Sequence, residues 1–207
     1  MLIGRTRKGI EELEPSIRLT KDKYFFLSDL CMNFLIDNNI KELPVSLNKI
    51  IKNNNWKTIP YSKLIELNIE RYNNLIEKNL GFVELRTNNY LIYYDDEREV
   101  EVQRFTIAHE IGHIVLNHFK IFTGSREQEA NMFASRLLMP MCVLYECDVN
   151  DSLEISKLCK VSNVSAEFRY ARLVILKQRN KFYKNNTERR MKDNFKSFIA
   201  KVLTEKK

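Results

Sequence analysis

Apolar residues recur along this 207-residue chain with two different periods, and the switches between them mark out its elements. Between residues 22 and 40, Leu27, Leu30, Cys31, Phe34 and Leu35 form a broad apolar face at helical spacing, with Phe25, Phe26, Met32 and Ile36 beside it. That predicts a helix buried on more than one side. The next stretch, LPVSLNKIIKNNNW, reads as a turn, a short helix with Ser46 as its N-cap, and a stop in the Asn run, followed by a connector through Pro60. GFVELRT and NYLIYYDD are β-rich runs separated by polar residues around Asn88 and Asn89, the pattern of a hairpin. Helical period then returns over Val102 to His118, Glu127 to Met139, Leu153 to Cys159, and from Ser165 into the C-terminal tail. The expected fold class is α+β, a small antiparallel sheet packed on helices with a helical C-terminal extension.

Composition narrows this picture. Forty-four per cent hydrophobic residues suffice for a buried core, and runs such as LLMPMCVLY fall well short of the roughly 20 residues that cross a bilayer. Glu11, Glu12 and Glu14 stand where an export signal needs its apolar stretch, so the expected location is the cytoplasm. Cys31, Cys142, Cys147 and Cys159 form no CxxC pair and read as small buried hydrophobes. The net charge of +7 is uneven: Ala171 to Lys207 carries 12 basic against 3 acidic residues, and the rest is close to neutral.

All three histidines fall within ten positions, in RFTIAHEIGHIVLNH. His109, Glu110 and His113 spell HExxH, and two histidines four apart share one helix face, where both imidazoles can reach one ion. Val102, Phe105, Thr106, Gly112 and Leu116 share that face, so the ligands should sit in a half-buried amphipathic stripe. A catalytic zinc site normally takes three protein ligands and leaves a fourth position for water. His118 is a tempting third ligand, but five residues beyond His113 it lies about 140° around the helix and could bind only if the helix broke after Leu116. It reads instead as a residue favoured by the helix C-terminal dipole.

The following helix, SREQEANMFASRLLMP, offers a better source. On a wheel centred on Ala134, Glu127 lies about 20° away among Ala130, Asn131, Ala134 and Leu138, and Glu129 lies about 140° off with Arg136. Glu127 is therefore the candidate ligand, and Asn131, one turn on, can accept a hydrogen bond from a ligand histidine. Glu110, beside such an ion without binding it, has the chemistry of a general base that later protonates the leaving amine. Tyr90, Tyr93 and Tyr94 are unranked candidates for the second electrophile at the carbonyl oxygen, and their strand could offer an edge to an extended substrate.

RFTIAHEIGHIVLNH followed by EQEANMFASRLLMP resembles the ImmA/IrrE family of metallo-endopeptidases, whose members share R-F-T-x-A-H-E-x-G-H and E-x-E-A-N-x-F-A-x-x-L-L-M-P. The match is close from Arg104 to Pro140, and looser similarity reaches the hairpin before it and LEISKLCKVSNVSAEFRYARL after it. The resemblance implies a minimal zincin fold, a zinc-dependent peptidase, and cleavage of a helix-turn-helix repressor of a mobile element or stress response. On this reading residues 1–150 hold the catalytic core, 151–180 a helix-turn-helix-like segment and 181–207 a basic tail.

Two readings compete with it. LEISKLCK, VSN and VSAEFRYARL have the outline of a helix-turn-helix followed by Arg169, Arg172, Lys177 and Arg179, which fits a DNA-binding regulator. A zinc-bearing module that docks without cleaving is the other. In the tail, Phe195, Phe198, Ile199 and Val202 follow i, i+3, i+4, i+7, an amphipathic helix whose default is to dock on its own domain. Its basic face also suits an acidic partner, nucleic acid or a membrane surface.

Overall fold

The computed structural model describes residues 2–6, 19–87, 89–119, 125–183 and 185–206, the first of these segments as strand backbone only. The acidic residues at 11, 12 and 14 and the turn residue Asn88 lie outside them. In chain order the elements are β1 (Leu2–Thr6), α1 (Lys21–Asp37), α2 (Leu47–Asn53), β2 (Lys57–Pro60), α3 (Tyr61–Glu66), a 3-10 turn (Glu70–Tyr72), α4 (Asn73–Lys78), β3 (Asn79–Leu85) and β4 (Tyr90–Tyr94). Seven helices follow: α5 (Val100–Val115), α6 (Arg126–Leu138), α7 (Met141–Glu146), α8 (Ser152–Cys159), α9 (Asn163–Gln178), α10 (Asn186–Asn194) and α11 (Lys196–Glu205). The class is α+β, a zincin-like core with a helical extension. No helix among the described residues is long and apolar enough to cross a membrane.

The chain divides into two compact units, Met1–Tyr24 with Leu47–Ala134, and Phe25–Ser46 with Ser135–Lys207. The first holds a four-stranded sheet of order β1-β3-β4-β2. The β3–β4 hairpin is antiparallel as its alternation predicts, and Arg86 N–H donates to the Asn89 carbonyl at 2.9 Å across its turn. β1 adds antiparallel to β3, but β2 adds parallel to β4, so the sheet is mixed. The connector before Pro60 conceals β2 because KTIP is too short to show a period, and its pairing with Leu91–Tyr94 is a long-range contact. A further consequence is that β4 is an inner strand, so the expected free edge at Tyr90–Tyr94 is already taken.

The two sheet faces have different jobs. Phe82 and Tyr93, directly opposite each other, point with Tyr61 and Tyr72 into an aromatic cluster beneath α3 and the 3-10 turn. Phe82 and Tyr93 stack at 4.6 Å between centroids. The alternate positions face α5, and Gly81 is where strand and helix come closest: a Cβ there would stand 2.4 Å from Thr106 Cγ2 and 2.9 Å from the Tyr93 carbonyl oxygen. Only a residue without a side chain fits at that point.

In the second unit α1 buries one stripe completely, Leu27, Cys31 and Leu35, while Phe25 and Phe26 stand exposed. Burial on several sides is thus narrower than the sequence pattern implies. All four cysteines are buried free thiols, and burial pushes Cys31, Cys142 and Cys147 up to about 12. α8 and α9 do form the outlined helix-turn-helix, with the Ser162 side chain capping α9 at the Ser165 N–H and Lys160 taking the left-handed conformation at φ 50° where glycine is common. Its basic residues are only partly available. Arg169 turns inward and donates from Nε (2.8 Å) and a terminal nitrogen (2.5 Å) to the Met139 carbonyl, and Lys177 bonds Asp148 and the Val149 carbonyl.

The tail is two helices, not one, and it docks on its own unit. Phe195 is both the last cap of α10 and the first of α11, and it is fully buried, with Met191, Ile199 and Val202 around it. Lys206 Nζ donates to the Cys147 and Asp148 carbonyls at 2.9 and 2.7 Å and pairs with Glu154, and Lys192 pairs with Glu146 at 2.8 Å. If the tail is part of this core, Phe195→Ala should cost about 3–5 kcal/mol of unfolding free energy in a urea titration followed by circular dichroism. A loss below about 1 kcal/mol, the range of a surface substitution, would make the tail a dispensable appendage.

Candidate metal centre

α5 carries the HExxH segment, and its second half has no solvent face. Residues Ala108 through Ile114 are all buried, including His109, Glu110 and His113 at 0% exposure. The stripe expected from the sequence is half buried at Val102 and Phe105 and fully enclosed over the turns that carry the HExxH residues. Burying imidazoles and a carboxylate is costly unless each finds a partner.

The partners converge. His109 Nε2 and His113 Nε2 lie 2.9 Å apart, with Glu127 Oε2 3.3 Å from the first and Oε1 3.5 Å from the second. Four donors arranged tetrahedrally around zinc at 2.0–2.1 Å would be separated by about 3.3 Å, so these three edges fit such a cage to within a few tenths of an ångström. His109, His113 and Glu127 form a group that could hold a metal ion. Glu127 keeps 43% of its side chain exposed, and Asn131 on the same side of α6 is exposed too, so the cage opens on that side. Burial works against the Glu127 carboxylate, but the adjoining His109 and His113 imidazoles outweigh it and hold the group well below the usual carboxylate range.

Close helix packing sets this distance. At Gly112 an added Cβ would meet Ala130 Cα and its carbonyl oxygen at 3.2 Å and Phe133 Cβ at 3.3 Å. α6 can therefore lie against α5 one turn from Glu127, which brings a carboxylate from one helix to two imidazoles on the other. Asn131 completes one side: its Oδ1 is 2.9 Å from His109 Nδ1, which must be the N–H, leaving Nε2 as the lone pair aimed into the cage.

His118 departs from expectation. α5 ends as a Schellman motif, with Asn117 left-handed at φ 56°, Asn117 N–H bonded to the Ile114 carbonyl and His118 N–H to the His113 carbonyl, each at 3.0 Å. The helix does break after Leu116, and the break folds His118 back onto His113, Nδ1 to Nδ1 at 2.9 Å, rather than onto an ion. It is 1% exposed, not a solvated helix end, and burial with the neighbouring His113 charge brings it down to about 4 despite Glu129.

Glu129 also differs. It is 2% exposed where the wheel puts it on a polar side, with Lys23 at 2.8 Å, Ser125 Oγ donating at 2.6 Å and His118 Nε2 at 3.4 Å. The two glutamates stand on different sides of α6, but the wheel cannot see that His118 and Lys23 cover the far side, so Glu129 is the buried one and Glu127 keeps 43% of its side chain exposed.

A family model described as the IrrE N-terminal-like domain, of the M78 peptidases, matches residues 65–174, more than half of the chain and the whole of this centre. The chain belongs to that family. No curated protein matches it. Membership of this peptidase family agrees with the ImmA/IrrE resemblance of Arg104 to Pro140.

Of the three hairpin tyrosines, Tyr93 must be withdrawn as a candidate for contact with substrate. It lies on the sheet face away from α5, and its hydroxyl is engaged by Glu84 at 2.9 Å and Tyr72 at 3.2 Å. Tyr94, opposite Gly81, and Tyr90, packed edge-on to Trp56 and against Phe119, are on the α5 face. Strand alternation separates them, a signal already present in the sequence once the pairing with Gly81 is known.

If this cage is the metal centre, Asn131→Ala should lower zinc affinity about 10–100-fold, measured by chelator competition, and Glu127→Ala should lower it further still. A Glu127→Ala chain that holds zinc as the parent does would remove Glu127 from the ligand set.

Proposed function

We propose that this chain is a zinc-dependent endopeptidase of the cytoplasm that cuts a specific partner protein, a helix-turn-helix transcriptional repressor, and so derepresses the genes it silences. The observation that carries the reading is the meeting of His109 Nε2, His113 Nε2 and the Glu127 carboxylate on one point beside the buried Glu110. Two imidazoles and one carboxylate, open on one side, are the donor set of a catalytic rather than a structural zinc site. Bound there, zinc supplies Lewis acidity toward a peptide carbonyl and makes water more acidic.

The chain's own residues supply the rest. His109, His113 and Glu127 hold the ion, with Asn131 orienting His109. Glu110 takes the proton of the attacking water on its carboxylate and returns it to the amine nitrogen as the peptide bond breaks. β3 supports it from behind: a Cβ at Gly81 would lie 3.7 Å from Glu110 Cγ, so the strand limits how far that side chain can retreat. Tyr90 or Tyr94 stabilises the carbonyl oxygen from the hairpin side. An extended substrate segment adds to the sheet at β1 or β2, since β4 is enclosed.

The repressor as substrate rests on the resemblance of Arg104 to Pro140 to the ImmA/IrrE enzymes and on the membership of the M78 family. The basic tail assists the encounter electrostatically. The test is to mix the purified chain and zinc with a helix-turn-helix repressor encoded nearby and, separately, with casein. The repressor should be cut at one or a few bonds and casein poorly, whereas unselective casein digestion would refute a dedicated substrate. Glu110→Gln should retain stoichiometric zinc and lose at least about 100-fold in cleavage rate, and parallel loss of metal would refute its role as proton carrier.

A further inference from the structure

His113 and His109 are held in different ways. His109 Nδ1 rests on an exposed amide, Asn131, whereas His113 Nδ1 rests on a buried series of side chains that begins with His118 and continues through Glu129 to Lys23. We propose that His118 is a positioning residue for the metal centre, accepting a hydrogen bond from His113 Nδ1 and thereby keeping the lone pair of His113 on Nε2.

Proton placement along the series leaves one arrangement that can hold an ion. The Glu129 carboxylate is an acceptor, 3.4 Å from His118 Nε2, so that nitrogen carries the hydrogen. His118 Nδ1 lies 2.9 Å from His113 Nδ1, and two ring nitrogens in hydrogen-bond contact, with no ion between them, are one donor and one acceptor. His113 Nε2 and His109 Nε2, 2.9 Å apart, can hold one ion only if both carry lone pairs, so His113 Nδ1 is then the N–H and His118 Nδ1 its acceptor. With the opposite order, the His113 proton would sit on Nε2 and point into the cage. Glu129 favours that order by accepting from His118 Nε2, and is itself held by Lys23 at 2.8 Å and Ser125 at 2.6 Å. The Schellman turn makes the contact local: the residue two beyond the helix cap lies over the third residue from its end, a place an apolar pair commonly takes and two imidazoles take here.

The proposal rests on the metal-centre reading, and its test separates the two. Zinc affinity is measured by chelator competition on the full chain and on His118→Phe, which keeps a ring but no acceptor, and His118→Asn, whose Oδ1 can replace Nδ1 as acceptor. In parallel, imidazole nitrogen NMR shifts of the metal-free proteins report which nitrogen of His113 is protonated. The parent should bind one zinc with His113 protonated at Nδ1. His118→Phe should lose about 10–100-fold in zinc affinity and show mixed His113 protonation, with a changed cobalt(II) spectrum, while His118→Asn recovers most of the affinity. Glu129→Gln, which leaves the ring of His118 in place, should also mix the His113 tautomers. A parent that binds no zinc refutes the metal centre and this proposal together. A parent that binds zinc, with His118→Phe equal to it in affinity and His113 protonation, refutes only the role of His118. Loss of affinity in both His118 variants, with His113 still protonated at Nδ1, makes the residue a packing element and overturns the proposal as well.

Discussion

Three imidazoles and a carboxylate, His109, His113, His118 and Glu129, are removed from water in a small volume where α5, its terminal turn and α6 meet. Such burial is tolerated only when each polar atom answers another, because an unmet group costs more than a typical hydrogen bond contributes. The arrangement follows from that demand. Asn131 answers His109, His118 answers His113, Glu129 answers His118, and Lys23 with Ser125 answers Glu129. What is left over is a pair of nitrogen lone pairs facing a carboxylate across an opening, which is the arrangement a cation completes.

Two glycines make the geometry reachable. Gly112 allows α6 close enough to bring Glu127 to the histidines, and Gly81 allows β3 close enough to stand behind Thr106 and Glu110. Neither needs an unusual backbone conformation; a side chain at Gly81 would force strand and helix apart, and one at Gly112 would press tightly on α6. The sheet divides its faces in the same economical way, with an aromatic cluster on one side and the helix of the metal centre on the other, so Tyr93 serves the cluster and Tyr94 the centre's side.

The second unit weakens the rival reading of a DNA-binding module without touching the outline that suggested it. The helix-turn-helix of α8 and α9 is present with Arg172 and Arg179 exposed, but Arg169 and Lys177 spend donors on carbonyls and an aspartate of the same unit. Phosphate contact depends on cationic groups presented outward. The tail likewise uses Lys192 and Lys206 to fasten itself.

Local spacing was enough to reveal the elements with strong periods, the HExxH pair, the choice of Glu127 over Glu129 as the residue sharing a side with Asn131, and the family, because each depends on residues within a turn or two of one another. β2, the short helices α3, α4 and α7 and the break in the tail escaped, since segments of four to nine residues carry too little periodicity. The depth of Glu129, the role of His118 and the enclosed position of β4 depend on what packs against them from distant parts of the chain. A helical wheel assumes one buried side, and here α6 has two. For His118 the clue was present, an Asn able to turn left-handed just before it, but whether that turn would aim the ring at an ion, at solvent or at His113 depended on Glu129 and Lys23, 11 and 95 residues away.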